Sequence, residues 1–386
     1  VRRLRAVVVG AGPAGLATAA LLRRAGLEVL LLERDPGGTA VTRGTALTLW
    51  PNAFTALAAI GAAQAVRARS APAAGLAMRT ARGTTLQYLS PAVMEARCGG
   101  TGRALLRADL MAALRSLHPP GAVRHGAHCV GVRQERGAVA AVLADGTAAE
   151  ADVLIGADGI RSRVRGALFG GDDLRYGGYA VARGVAHREE PGHPALLTLG
   201  RGRQFGLFPL PGGRMYWFAA FAAPEGTAAA GPGCLAFLAE RFGLWHAPIP
   251  QVLAATGAAD VTVTDIHDRR PLRHWGRGAV TLVGDAAHPS APAMGQGTCQ
   301  ALEDAVVLAR CLAGADGPDD VPAALGAYTA RRRRRAHGVT RQSRWTGRLG
   351  QWQAPVLCAV RDGLVRATPS AAQVGALRTM FAFDPT

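Results

Sequence analysis

One short segment constrains this chain more than any other. Gly10-Ala11-Gly12-Pro13-Ala14-Gly15 stands between a β-branched run, Arg5–Val9, and a stretch from Pro13 to Ala25 with helical periodicity, which Gly26 ends. A second apolar strand is expected at Glu28–Leu32, so the chain opens strand–turn–helix–strand within the span of one dinucleotide-binding unit. Gly10 suits the tight turn, Gly12 lets the backbone approach a pyrophosphate, and Gly15 lets the helix pack closely on the sheet. The helix start offers free N–H groups and a partial positive charge to the phosphates. Glu33 ends the second strand, 18 residues after Gly15. A carboxylate there accepts hydrogen bonds from a ribose diol and repels a 2′-phosphate, so the bound nucleotide is expected to be FAD or NAD rather than NADP.

Composition narrows the chemistry further. The 386 residues include 44 basic ones, and every one is Arg. Without lysine this stretch cannot form a Schiff base, anchor pyridoxal phosphate or build a P-loop. The formal net charge of +17 invites a nucleic-acid reading, but aromatic residues make up only 5% and the arginines are spread along the chain. The one dense run, Arg331–Arg335, reads as a solvated helix face, and no nucleic-acid partner is expected. Six cysteines without C-x-x-C spacing suggest neither a metal site nor a disulfide framework, and reduced thiols imply a cytoplasmic protein. Arg2, Arg3 and Arg5 ahead of the uncharged stretch Ala6–Leu22 imitate an export signal, yet the glycines and Pro13 are better explained by a nucleotide turn. No other uncharged run is long and apolar enough to span a bilayer.

Periodicity predicts helices over Thr48–Arg69, Leu105–Leu117, Thr298–Leu312 and Val321–His337, and a helical tail from Thr340 to Pro369. Ala122–Arg133 and Ala138–Leu143 alternate like paired strands, with Asp145-Gly146 as a turn. From Tyr176 to Ile266 the texture changes to strand-like pieces, among them Tyr179–Val185, Gly206–Pro209 and Met215–Phe221, separated by Gly/Pro loops. A second, sheet-based domain is expected there, with a helix near Gly233–Phe242.

Two further motifs decide which dinucleotide is bound. The first is Gly156-Ala157-Asp158-Gly159-Ile160-Arg161-Ser162 after the strand Val153–Ile155. The second is Gly284-Asp285-Ala286-Ala287-His288-Pro289 after Val280–Val283, continuing through Gly295-Gln296-Gly297 and Glu303-Asp304-Ala305. With the opening glycine turn, and with Thr42-Arg43-Gly44, Pro51-Asn52-Ala53 and Leu106-Arg107-Ala108-Asp109-Leu110, they resemble the ordered motifs of the class A flavoprotein monooxygenases. This is the para-hydroxybenzoate hydroxylase fold family, and the likeness is nearest to its salicylate hydroxylase and zeaxanthin epoxidase-like branch. It covers about residues 5–345.

The resemblance implies an α/β fold in which a Rossmann-like FAD-binding domain (1–70, 98–174 and 268–345) is interleaved with a β-sheet substrate domain (71–97 and 175–267), followed by C-terminal helices (346–386). FAD would be held by Gly10, Gly12, Ala14, Gly15, Glu33, Arg34, Arg43, Arg107, Asp158, Asp285, Pro292, Gly295, Gln296 and Gly297. Asp285 would meet the ribityl hydroxyls, Arg43 and Arg107 the phosphates, and the N–H groups of 295–297 the flavin pyrimidine edge, where reduced flavin is negative. Asp158 is read as a residue that holds neighbouring loops, and His288 as structural rather than a general base. Proline in 289–292 would keep the loop over the flavin stiff.

The implied activity is monooxygenation: NADPH or NADH docks transiently and reduces FAD, O₂ gives a C4a-hydroperoxyflavin, and a small apolar aromatic or alkene is hydroxylated or epoxidised, in specialised metabolism. A flavin oxidase or dehydrogenase without oxygen insertion is the alternative. A flavin halogenase is disfavoured by the missing lysine. No metal is expected, and the molecule is expected to be a monomer or homodimer. In the substrate domain Tyr216 is the foremost candidate to touch substrate, with Arg183 beside it. Strand alternation puts Tyr216 and Trp217 on opposite faces, and Tyr216 is the one expected in the pocket.

Overall fold

The computed structural model describes residues 3–37, 45–135, 138–171, 174–190, 192–227 and 234–385. Its first sheet has six strands in the order Gly276–Arg277, Val280–Leu282, Val153–Gly156, Arg5–Val9, Glu28–Leu32 and Val123–Arg124. All pair in parallel except the short Gly276–Arg277 edge. The central strands are continuous apolar runs because helices cover the sheet. Pro13–Arg24 and Gly297–Ala313 pack closely against one another, and both turn their small residues inward. An antiparallel meander, Cys129–Glu135, Ala138–Leu143 and Ala148–Ala151, lies beside this sheet.

A second sheet has seven strands in the order Thr256–Asp268, Arg175–Ala186, Arg214–Ala222, Arg203–Leu210, Ala195–Leu199, Leu76–Thr80 and Thr85–Leu89. A small sheet of Ala46–Leu49, Arg103–Leu106 and Ala71–Pro72 stands between the two larger ones in sequence and in space. Alternation divides the faces of the seven-stranded sheet cleanly. Phe205, Met215, Trp217 and Phe221 pack with the helices Cys234–Phe242 and Ile249–Ala254 on one side. Val185 and Tyr216 meet Ala46 and Ala104 on the other, and Tyr179, Val181 and Ala220 meet Ala291. Phe218 packs in both of these last groups, so this second face meets three distant segments, at Ala46, Ala104 and Ala291.

Several element boundaries differ from the sequence reading. The stretch expected as one helix from Thr48 to Arg69 is a strand, Ala46–Leu49, then two helices, Pro51–Ile60 and Ala63–Ala68. Gly61, at φ 91°, breaks them apart. Val123–Arg124 joins the parallel sheet, and only Cys129–Glu135 pairs with Ala138–Leu143. The helix from Val321 runs on to Gly350, and two more, Pro355–Ala367 and Ser370–Phe381, carry helical structure well past Pro369.

Candidate functional site

The glycine turn is shaped by contact on two sides and by space on the third. Gly10 sits at φ +103°, and a Cβ there would lie 2.6 Å from the Ala157 carbonyl oxygen, so only glycine fits. A Cβ on Gly15 would lie 1.8 Å from the Gly10 carbonyl oxygen. A Cβ on Gly12 would meet nothing within 4 Å. Gly12 is also the N-cap of the Pro13–Arg24 helix, and no side chain caps that end. Room and unpaired donors together fit an anionic group such as a pyrophosphate. The Glu33 carboxylate already leans over this turn, accepting from the backbone N–H groups of Ala11 (2.8 Å) and Asp35 (3.0 Å). Arg34, next in sequence, is exposed, and Ala14 is buried.

The Gly284-Asp285 turn is docked onto this helix. Gly284, at φ +58°, would place a Cβ 3.0 Å from the Ala14 side chain and 3.2 Å from that of Ala301. Small residues at all three positions let the turn close against both helices. Asp285 consequently projects into the open space and accepts no hydrogen bond among the described residues. Its carboxylate is reachable from the cleft, yet the protein packed around it raises its proton affinity. His288 and Arg107 pull in the opposite direction, and Asp304 adds to the rise. Arg107 opens the helix Arg107–Arg115, faces the same cleft and feels Asp285. An exposed acceptor, a nearby guanidinium and an uncapped helix start are the acceptor and donor groups that suit a flavin dinucleotide.

The Gly297–Ala313 helix begins on the same side, where a Cβ on Gly297 would lie 3.9 Å from Asp285 Oδ1. Its N-cap, Gln296, has no side-chain capping bond. The Gln296 side chain turns inward instead, its Oε1 accepting from Asn52 Nδ2 at 3.0 Å and Gln300 Nε2 at 3.3 Å. The backbone of 295–297 faces the cleft side, and the Gln296 Nε2 amide is buried without a hydrogen-bond partner among the described residues. Gly295 is left-handed, at φ +61°, after the short 3-10 turn Pro292–Met294, and Pro292 is exposed. Asp158 caps the helix Arg163–Phe169: its carboxylate accepts from Ser162 Oγ at 2.5 Å and from the N–H groups of Arg163 (2.7 Å) and Val164 (3.2 Å). Arg43 lies outside the described residues.

Behind the cleft is a buried ionic cluster that sequence reasoning missed. Asp304 Oδ2 accepts from the Gly284 N–H (2.8 Å) and contacts His288 Nε2 (2.5 Å), while its Oδ1 accepts from Arg332 Nε (2.8 Å). Burial alone would raise the Asp304 carboxyl, but His288 and Arg332 outweigh it and hold it below the usual range. Glu303 pairs with Arg332 and Arg335, and it accepts from Asn52 Nδ2 at 2.7 Å. Arg332 is 2% exposed. The arginine run is thus not simply a solvated face: its second member is core and its fifth is half-buried, because the helix turns those two toward the carboxylates. The signal was present in Glu303-Asp304, adjacent carboxylates inside an apolar helix, which require buried cations. Arg165 was missed as well. It is buried and donates to the carbonyls of Ala286 and Ala287, both at 3.3 Å, bracing the turn from the other side.

On the seven-stranded sheet, Tyr216 and Arg183 share the face turned to the nucleotide half, with Phe208 and Phe218 beside them. Tyr216 is buried, and its hydroxyl pKa is raised by that burial against the opposing charge and hydrogen bond of Arg183. No carboxylate pairs with Arg183 among the described residues. Trp217 points the other way, stacking on Phe205 and donating to Thr256 Oγ1 at 2.9 Å. Among the described residues no group of three or more His, Cys, Asp or Glu could hold a metal ion.

Comparison with known proteins bears on the chain as a whole. A family model described as "FAD binding domain" matches residues 3–343. The chain is 38% identical over 369 residues to the aurachin C monooxygenase/isomerase of Stigmatella aurantiaca, covering 95% of each chain. It is 36% identical over 384 residues to the 3-amino-4-hydroxybenzoate 2-monooxygenase of Streptomyces cremeus, covering 95% of this chain and 93% of that one. The crystal structure of Klebsiella pneumoniae HpxO complexed with FAD and uric acid superposes with a TM-score of 0.90 at 27% identity, covering 98% of this chain and 96% of that one.

Proposed function

The chain belongs to the FAD binding domain family and is an FAD-dependent monooxygenase of the class A flavoprotein type. From that premise we propose that it hydroxylates an aromatic ring bearing an oxygen substituent, with NADPH or NADH as the transient reductant and O₂ as co-substrate. The observation that carries this reading is the Arg183–Tyr216 pair: a guanidinium without an acidic partner among the described residues, set beside Phe208 and Phe218 on the sheet face that also carries the buried Gln204. Such a pair suits a phenolate, carboxylate or carbonyl oxygen better than a wholly apolar ring or alkene. The compounds associated with two similar proteins, 3-amino-4-hydroxybenzoate in the name of one and uric acid in the complex of the other, are oxygenated rings.

FAD bound in the cleft would supply the redox and oxygen-transfer chemistry that side chains do not have. The chain's own residues bind and orient. Gly12 and the first turn of Pro13–Arg24 receive the pyrophosphate, with Arg107 adding positive charge. Glu33, already held over the turn, offers its carboxylate to the ribose, and Asp285 offers an acceptor to the ribityl hydroxyls. The uncapped start of Gly297–Ala313 stabilises negative charge on the ring system. Arg183 and Tyr216 anchor the substrate oxygen, while Phe208 and Phe218 give the ring an apolar, water-poor seat.

The test is to load the purified protein with FAD and screen hydroxylated and carboxylated aromatics for stimulated NAD(P)H oxidation under ¹⁸O₂. One labelled oxygen in the product is expected. Stimulated NAD(P)H oxidation with no label in any product would overturn the reading in favour of an oxidase.

A further inference from the structure

The helix Pro355–Ala367 is turned inside out. Val356, Leu357, Val360 and Leu364 are 73%, 45%, 50% and 65% exposed, while Arg361 in its middle is 5% exposed. Arg361 donates to the carbonyls of Gly200 (3.1 Å) and Leu349 (3.4 Å), and its Nε donates to Asp362 Oδ1 at 2.9 Å. The central charges of the helix are thereby used against the protein. Residues 356, 360 and 364 form one row at helical spacing, with Leu357 beside it, and this row faces outward. Arg366 is the one charged residue of the helix that is exposed. At the end of the preceding helix Arg341, Trp345 and Arg348 are exposed one or two turns apart, with Trp345 58% exposed. The Arg361 bond to the Leu349 carbonyl ties the two elements together.

Two considerations choose the occupant. A helix of 13 residues offers an outward strip about 20 Å long and about 10 Å wide, well short of the roughly 800 Å² per partner of a stable protein interface. Two copies of a chain with formal charge +17 also repel each other. An anionic lipid surface reverses both considerations. A single apolar helix face suffices to enter the headgroup boundary, the arginines find opposite charge, and a tryptophan between arginines suits that boundary. No described helix is long and apolar enough to cross a membrane, so the element would lie on it rather than span it.

We infer that the Pro355–Ala367 helix, flanked by Arg341, Trp345 and Arg348, seats this protein on anionic membrane surfaces. The test is cosedimentation of the FAD-loaded protein with vesicles of phosphatidylcholine alone and of phosphatidylcholine mixed with phosphatidylglycerol, beside sedimentation velocity of the free protein. Binding is expected to the anionic vesicles only, weakening as salt rises. Val360→Asp with Leu364→Asp should weaken it at least about tenfold without changing flavin content, since both side chains face solvent. Arg341→Gln with Arg348→Gln, which leaves the apolar row intact, should weaken it several-fold. The inference is overturned if anionic vesicles do not bind the protein, or if both double variants bind as the parent does. It is overturned equally by a dimer that the aspartate pair splits and that ignores vesicles, which would make a second copy the occupant.

Discussion

At the scale of single residues, Asp285 is an acceptor held in place with nothing in the described protein to accept from. Gly284 must be glycine to let the turn close on Ala14 and Ala301, and that closure aims the carboxylate into the cleft. Asp285→Ala should weaken FAD binding by on the order of 10–100-fold, the equivalent of one charge-assisted hydrogen bond. Fluorescence titration of flavin with the apoprotein would measure it, and an unchanged dissociation constant would make Asp285 a turn residue only. Tyr216 presents a different case, a buried hydroxyl whose neighbour is a cation. Tyr216→Phe should keep FAD and fold, but raise the substrate KM by up to about tenfold, because one neutral hydrogen bond to the substrate is lost. Product formed per NAD(P)H consumed should fall with it. A variant with parental KM and coupling would place Tyr216 in packing alone.

The elements show why glycines in one motif are not equivalent. Gly15 sits where helix and turn touch, and Gly12 sits where they leave room. Gly15→Ala should therefore push the Pro13–Arg24 helix off its sheet and lower stability by several kcal/mol, as overpacking and backbone strain do. Gly12→Ala should keep the apoprotein's melting temperature within a few degrees yet lose most FAD affinity, because its new methyl group fills only the space left for the ligand. Thermal unfolding of the two apoproteins, set beside flavin titration, separates them, and equal loss of stability in both would refute the assignment of that space. The long helix Val321–Gly350 shows the same dependence on what faces it. Its arginine run reads as one feature in the sequence, yet Arg332 and Arg335 are bound to Glu303 and Asp304 while Arg331, Arg333 and Arg334 remain exposed.

For the molecule as a whole, four histidines, His118, His193, His246 and His337, are held below the ordinary imidazole value of 6.5, in each case first by burial. His337 is lowered to about 4, with His288 and Arg333 adding to the effect. Because these groups take up protons more readily when unfolded, their contribution is complete above pH 6.5 and is lost as pH falls toward about 4. Asp304 is depressed as well, so its contribution is lost only as pH falls below the ordinary carboxyl value of 3.8. Urea denaturation should show stability declining from pH 6.5 downward, and His337→Gln should flatten part of that decline. A profile that His337→Gln leaves unchanged in slope would contradict the assignment.

What the sequence determined by itself is the chemistry that contiguous residues can carry. The turn at 10–15 needs glycine for reasons of local backbone and near-neighbour space, Glu33 follows at the end of the next strand, and the Gly284-Asp285 turn follows its own strand. Alternation likewise fixed that Tyr216 and Trp217 point to opposite faces. Which face meets the nucleotide half is a different matter. It depends on Ala46, Ala104 and Ala291, from three distant segments, closing over one side of the seven-stranded sheet, while two helices cover the other. The inward turn of Gln296, the burial of Arg332 and the outward apolar row of Pro355–Ala367 were decided in the same way. Each depends on what packs against the element, and a residue's periodicity records its side of a helix or strand but not the partner waiting there.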